Sequence, residues 1–401
     1  MAFPHSTLTR HRFSVVLLAC SCVSLSSRCK GGADGTPPPE PPPTLEQIEA
    51  VLGDPDTVIS LLGKLPRGLE PVDLAKLREM DRQCGERRNV EQDPVARKLL
   101  TVLAASGDVR SLGYLHEVFE AAPERRDAVA HEIAKFALSQ RRRPADWRLL
   151  VRAVPFVEGE IARDVLRALQ LFNERGTKPQ WQRQVLLAGL RLKAPDDREA
   201  VRVLRHWTGK TIDEGVAPED ALAAWQTWFD DEHPDLPPPT LPVDSADSRY
   251  KSADLLKLLS SSLDVGDPLR GAKVAEKATC LKCHRYGARG EAMGPDITNV
   301  RQRFQLKELL EEIIFPSQNL SDQYTTVIIR TRDGKTYSGV TAADGDDLVI
   351  LQANGEKARI DRRTIEEAGP SRKSSMPDGL LEPLTQTEVL DLFSYLLRSE
   401  R

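Results

Sequence analysis

The chain has 401 residues, of which 40% are hydrophobic and 28 are proline, with a formal net charge of −4. That length accommodates two or three domains, and the composition is that of a soluble globular chain interrupted by linkers. From Gly266 to Arg401 there are 20 Lys and Arg against 21 Asp and Glu, which argues against the single-sign field of a nucleic-acid binder and leaves only local patches for docking a charged partner.

Arg10 and Arg12, with no acid in the first twelve residues, precede the short apolar run Phe13 to Ala19. This pattern predicts an export signal over residues 1–30. The run falls far below the roughly 20 residues that span a bilayer, so an uncleaved anchor is not expected. Leu17-Leu18-Ala19-Cys20 resembles a bacterial lipoprotein box, in which a lipidated Cys20 would attach the protein to a membrane. Ordinary cleavage before Lys30 is the equal alternative. Either route delivers the chain to the periplasm or cell envelope. Residues 31–44 contain Pro37-Pro38-Pro39 and Pro41-Pro42-Pro43, which predict an extended, semi-rigid spacer.

Over residues 45–230 apolar side chains recur at helical spacing in short segments: Val95 to Ala105, Val109 to Ala121, Ala128 to Leu138, Ile161 to Phe172 and Ala221 to Phe229. Many short helices with almost no strand signal predict an α-helical, HEAT-like array of helix pairs. The stretch from His206-Trp207-Thr208-Gly209 to Trp225-Gln226-Thr227-Trp228 is similar to the closing helix pair of such arrays. Trp207, Trp225 and Trp228 read as core, and His116, His131 and His206 as ordinary helix residues. Met80 shares a helical stripe with Leu74 and Leu77. Residues 231–250, with Pro237-Pro238-Pro239, read as a second linker, followed by a short bridging helix from Leu255 to Leu263.

Beyond the linker, Asp267-Pro268 is a helix start running to about Ala278. It leads into Cys280-Leu281-Lys282-Cys283-His284. In an exported protein C-x-x-C-H is the attachment site of a c-type haem, because each thiol can add to one porphyrin vinyl group while the adjacent imidazole ligates the iron. With six Cys and seven His in 401 residues, chance supplies this pattern about 0.002 times per chain. A structural zinc site or a redox dithiol is the rival reading. The first needs two further ligands and the second a βαβ setting, and the other cysteines are Cys20, Cys22, Cys29 and the distant Cys84.

Leu306, Leu309, Leu310, Ile313 and Ile314 form one apolar stripe on an intervening helix. A capping box at Thr385-Gln386-Thr387-Glu388 opens the last helix, whose stripe is Val389, Leu392, Phe393, Leu396 and Leu397. The first and last helices are expected to cross near Gly271. Between them Tyr324 to Arg330, Thr336 to Thr341, Asp347 to Gln352 and Lys357 to Ile360 alternate apolar and polar residues, with hairpin turns at Asp333-Gly334 and Asn354-Gly355. These predict a small barrel-like β unit inserted at about 322–366, similar to an SH3 or Sm barrel.

Gly271, the C-x-x-C-H, Gly294-Pro295-Asp296-Ile297-Thr298, Ser375-Met376-Pro377 and the last helix together resemble the haem-binding cytochrome c domain widespread in Planctomycetes. The likeness covers about residues 266–401. It implies a mainly α chain ending in a class I cytochrome c-like domain over 251–401, with one covalently attached haem c. Pro295 then supplies the carbonyl that receives the Nδ1 proton of His284. Val274 departs from the family, which usually has an aromatic there.

The sixth iron ligand is sought among four methionines. Met1 leaves with the leader, Met80 belongs to another domain, and Met293 is tied to the His284 side. Met376 sits where the family motif places the axial methionine, a soft ligand that raises the potential. The chain therefore reads as an electron carrier between redox partner proteins, with metal ligands His284 and Met376. Two other readings stay open: a haem-based gas or peroxide sensor or small haem enzyme, and a helical scaffold with an accessory redox domain.

Overall fold

The computed structural model of the chain describes residues 41–66, 68–85, 93–140, 142–320 and 322–397. The expected export signal, Cys20 and most of the first proline spacer lie outside the described residues.

Among the described residues eleven α-helices come first: α1 (Leu45–Glu49), α2 (Pro55–Gly63), α3 (Pro71–Gly85), α4 (Pro94–Ala105), α5 (Val109–Ala121), α6 (Arg126–Ser139), α7 (Pro144–Ala153), α8 (Gly159–Leu169), α9 (Pro179–Arg191), α10 (Arg198–Thr208) and α11 (Ala221–Glu232). Proline opens α2, α3, α4, α7 and α9, where its missing N–H costs nothing and its fixed φ suits the first turn. Before α2 and α4, the carboxylates of Asp54 and Asp93 accept from the freed N–H groups of Thr57 and of Val95 and Ala96, each cap worth about 1 kcal/mol.

Alternate helices α2, α4, α6, α8 and α10 contact one another in succession, with α3, α5, α7 and α9 packed beside them. The stripes meet in one continuous core that includes Val58, Leu99, Ile133, Val165, Leu204 and Trp225, all fully buried. A buried polar knot pins its first half. Arg125 donates to both oxygens of Asp81 at 2.6 and 3.1 Å, and the Tyr114 hydroxyl donates to the same carboxylate at 2.6 Å. Trp207 and Trp225 are buried and Trp228 half-buried, Met80 is core, and His116, His131 and His206 are engaged by Asp146, Asp164 and the Phe172 carbonyl.

A second core gathers α12 (Ser252–Ser262), α13 (Pro268–Lys277), α14 (Leu306–Ile314) and α15 (Gln386–Leu396). Rather than only bridging, α12 buries Leu255 and Leu259 in this core. The expected crossing is present: a Cβ on Gly271 would overlap the Asp391 carbonyl oxygen of α15. The buried Asp391 carboxylate ties the crossing together, accepting from Arg270 at 2.7 and 2.8 Å and from the Asp267 N–H at 2.7 Å.

The inserted unit is a five-stranded antiparallel sheet, β3 (Val327–Thr331), β4 (Thr336–Asp344), β5 (Asp347–Gln352), β6 (Lys357–Asp361) and β7 (Ile365–Pro370), in the order β6-β5-β4-β3-β7. Gly334 and Gly355 have positive φ at the two expected hairpins, and Gly345 makes a third. The expectation of a barrel at 322–366 is corrected in two respects. The strands run on to Pro370, and the sheet stays open, with β6 and β7 as unpaired edges. The Glu366 and Glu367 charges and Pro370 on β7 blunt one edge in the usual way. Ile329, Ile350 and Ile360 form a small third core on one face. Among the described residues no helix is long and apolar enough to cross a membrane.

Candidate functional site

The segment after α13 is folded by its own backbone. Thr279 adopts a left-handed φ of 62°, which breaks the helix and starts a tight 3-10 turn over Cys280–Lys282. The His284 N–H closes that turn on the Cys280 carbonyl at 3.0 Å. A two-residue-stranded hairpin follows, β1 (Arg285–Tyr286) with β2 (Arg289–Gly290). Tyr286 anchors it by packing on the Tyr395 ring at 4.3 Å between centroids and donating to the Tyr395 carbonyl at 3.2 Å.

The chain then doubles back along the C-x-x-C-H segment. Glu291 N–H donates to the Leu281 carbonyl at 3.2 Å and Gly294 N–H to that of Cys283 at 2.7 Å. Glycine at 294 lets the backbone pass close to the imidazole, since a Cβ there would sit 3.0 Å from Nδ1 and Cε1 of His284 and would push the ring aside. The next residue, Pro295, presents its carbonyl oxygen 2.8 Å from His284 Nδ1. This bond fixes the ring orientation and the tautomer, committing Nδ1 as donor and leaving Nε2 with its lone pair to ligate.

Cys280, Cys283, His284, Met293 and Pro295 line a cleft together with Ser374, Ser375, Met376, Pro377 and Leu380. The expected site residues are thus brought together, and the two methionine candidates of this region share the same cleft. Hydroxyls hold the Met376 loop in place. Ser374 N–H donates to Ser317 Oγ at 3.1 Å, Met376 N–H to Ser374 Oγ at 3.1 Å, and Ser375 Oγ lies 2.8 Å from Thr326 Oγ1.

Another part of the lining escaped the sequence reading. Tyr324, Val340, Leu351, Gln352, Ala353 and Gly355 of the inserted unit also line the cleft. Val340 and Leu351 are direct partners across β4 and β5, on the face opposite Ile350. One signal was available: a sheet exposed on one face alternates apolar with polar residues, whereas Val349-Ile350-Leu351 is apolar on both faces.

Burial raises the Cys280 thiol to about 11 and also raises that of Cys283, so both are protonated at neutral pH. Catalytic dithiols need the opposite shift, toward thiolate, so the redox-dithiol reading loses its main support. Burial lowers the His284 pKa, helped by nearby Arg303 and opposed by the Pro295 hydrogen bond. A neutral imidazole is the form that binds a metal. Among the described residues no group of three or more His, Cys, Asp or Glu converges to hold a metal ion, which leaves a structural zinc site without its ligands. The donor set that remains is two free thiols, one oriented imidazole and a thioether lining one partly apolar cleft.

No protein-family model matches the chain, and no curated protein sequence does either.

Proposed function

We propose that this protein is an exported c-type cytochrome that passes single electrons between redox partner proteins. The observation that carries the reading is the 2.8 Å bond from His284 Nδ1 to the Pro295 carbonyl, within a C-x-x-C-H segment that shares its cleft with Met376. A histidine that only packs in a core does not need its Nε2 held ready beside two thiols. A haem c bound here supplies a one-electron couple in which the thioether favours the reduced state.

Each side chain has a separate part in this account. Cys280 and Cys283 would hold the ring by thioether bonds, and His284 would ligate through Nε2, with its donor strength raised by Pro295. Met376 would supply the second protein ligand, and the Ser317, Ser374, Ser375 and Thr326 hydroxyl contacts hold its loop in the cleft. On this reading α12 to α15 form a class I cytochrome c-like domain, and α1 to α11 a HEAT-like array that positions it. The resemblance to the planctomycete haem-binding domain supports the same assignment.

The test is extraction. Protein made with the haem-attachment machinery present should keep its haem through denaturation and acid-acetone treatment, because thioether bonds do not depend on the fold. The Cys280→Ala, Cys283→Ala double variant should release it all. Complete extraction from the wild type would overturn the reading.

A further inference from the structure

The electron-carrier reading gives the inserted sheet no task, yet the sheet touches both the C-x-x-C-H segment and the Met376 loop. At the His284 side, the β5 to β6 turn sits on the C-x-x-C-H segment itself. Gly355 has a φ of +82°, and a Cβ there would lie 2.7 Å from Cδ of Lys282. Lys357, at the start of β6, pairs with Glu291 at 3.0 Å, and Glu291 is hydrogen-bonded through its N–H to Leu281. At the Met376 side, the residue leading into β3 holds the loop twice. Thr326 meets the Ser375 hydroxyl at 2.8 Å, and its carbonyl accepts from the Ser371 N–H at 2.8 Å.

Between these two grips the sheet presents Val340 and Leu351 to the cleft, while Ile329, Ile350 and Ile360 form its own core on the other face. An exposed pair of large aliphatic side chains is unfavourable by itself, and covering the cleft removes both from water. The sheet is therefore driven onto the site by its apolar face and located there by its two ends.

We propose that the inserted sheet is a clasp. It grips the C-x-x-C-H segment through Gly355 and Lys357 and the Met376 loop through Thr326, and so ties together two segments that line the cleft. The tie stands on the contacts alone. Its consequence, that small ligands are kept from the position Met376 occupies on the iron, rests on the haem reading. The clasp makes the sheet a specificity element, since a Met376 loop held in place on the cleft would leave no position for a diatomic ligand.

The experiment uses the full-length chain. Two variants loosen the turn: Gly355→Val, which forces a β-branched residue into left-handed backbone against Lys282, and Lys357→Glu, a surface change that sets two like charges together at Glu291. In protein produced without haem attachment, alkylation of Cys283 by a bulky maleimide is followed by peptide mass spectrometry, with buried Cys84 as the internal reference. Gly355→Val should raise the Cys283 rate about tenfold, the ratio given by ~1.4 kcal/mol of strain, with Cys84 unchanged, and Lys357→Glu should raise it by a smaller factor. Should Cys84 rise in step in Gly355→Val, that variant has unfolded and Lys357→Glu decides. Wild-type Cys283 rates in the folded variants overturn the clasp. In protein produced with haem attachment, both variants should bind CO faster than wild type. Absence of covalent haem overturns the electron-carrier reading while leaving the Cys283 rates to judge the clasp. Faster Cys283 alkylation with unchanged CO binding overturns the ligand-exclusion consequence.

Discussion

The Arg183 guanidinium donates to the main-chain carbonyl of Gln318, 135 residues further along the chain, at 2.6 Å. Its other donors go to the carbonyls of Pro237 and Pro238 at 2.8 and 3.1 Å. Arg126 repeats the arrangement, donating to the carbonyls of Phe119 at 2.9 Å and Arg303 at 2.6 Å. Both arginines are buried. The proline run read as a linker is therefore held fast, and its composition explains how. Proline has no N–H, and an extended proline backbone makes no internal hydrogen bonds, so its carbonyls are free for an outside donor.

Replacing Arg183 by Met should leave three carbonyls short of a donor, at a cost of about 3 kcal/mol in total. Thermal stability should fall, and residues 231–250 should become the first site of limited proteolysis. Burial lowers the Arg183 pKa to about 10, which still leaves the side chain charged at neutral pH, so the latch should hold across the physiological range. Cleavage of this stretch in wild type as fast as in Arg183→Met would show that the latch contributes nothing.

The α13 and α15 crossing makes a second prediction. Gly271→Val drives side-chain atoms into the Asp391 carbonyl and should cost about 3 kcal/mol or more, as overpacking of a rigid core does. Arg270, through its hydrogen bonds, is the main cause holding the Asp391 carboxyl below its usual range. A carboxyl whose pKa is depressed by folding stabilises above its unfolded value and loses that stabilisation as pH falls through the folded value. Wild type should thus lose melting temperature on acidification below about pH 4, and Asp391→Asn, less stable at neutral pH, should lose less over the same window. Parallel acid limbs for the two proteins would refute the assignment.

Much of this architecture was legible because local chemistry and tertiary packing agree. The Thr385 to Glu388 capping box and Asp267-Pro268 place the starts of α15 and α13, and the glycines at 334 and 355 mark two hairpins. What stayed hidden was set by contacts distant in sequence. Strand β7, Ile365–Pro370, has no alternating pattern, and its conformation comes from pairing with β3. At the site, the C-x-x-C-H and Gly294-Pro295 segments are local and could be read directly. The Val340 and Leu351 wall could not, because two aliphatic residues in a strand do not say which surface they cover.

Glu312 supplies a prediction with the opposite sign. It faces the junction of α14 with the helical array, accepts from Asn319 Nδ2 at 2.8 Å, and Gln184 of α9 in turn donates to Asn319 Oδ1 at 2.8 Å. Burial is the main cause raising its carboxyl to about 7, with Glu308 and Glu311 adding to the rise against the Asn319 bond. In this case the folded state holds the proton more tightly than the unfolded chain, so stability falls as pH rises from about 4.5 to 7. Glu312→Gln keeps the shape and removes the charge. It should match wild type near pH 4.5 and exceed it in melting temperature at pH 8, and equal melting temperatures at both values would show that the carboxyl is not strained by its site.

The two methionines of the cleft separate carrier from sensor. Met293 precedes Gly294, which packs on the imidazole ring, whereas Met376 lies on the separate, serine-pinned loop that lines the same cleft. On the proposed reading Met376 fills the sixth position, so Met376→Ala should turn a six-coordinate low-spin ferrous protein into one that binds CO readily. It should also lower the reduction potential, because the soft thioether that favours Fe(II) is lost. Met293→Ala should change neither spectrum nor potential by a comparable amount. CO titration and redox titration of the three proteins check this directly. Rapid CO binding by the wild type, with Met376→Ala indistinguishable from it, would leave Ser375-Met376-Pro377 as a turn into α15 and move the sensor reading into first place.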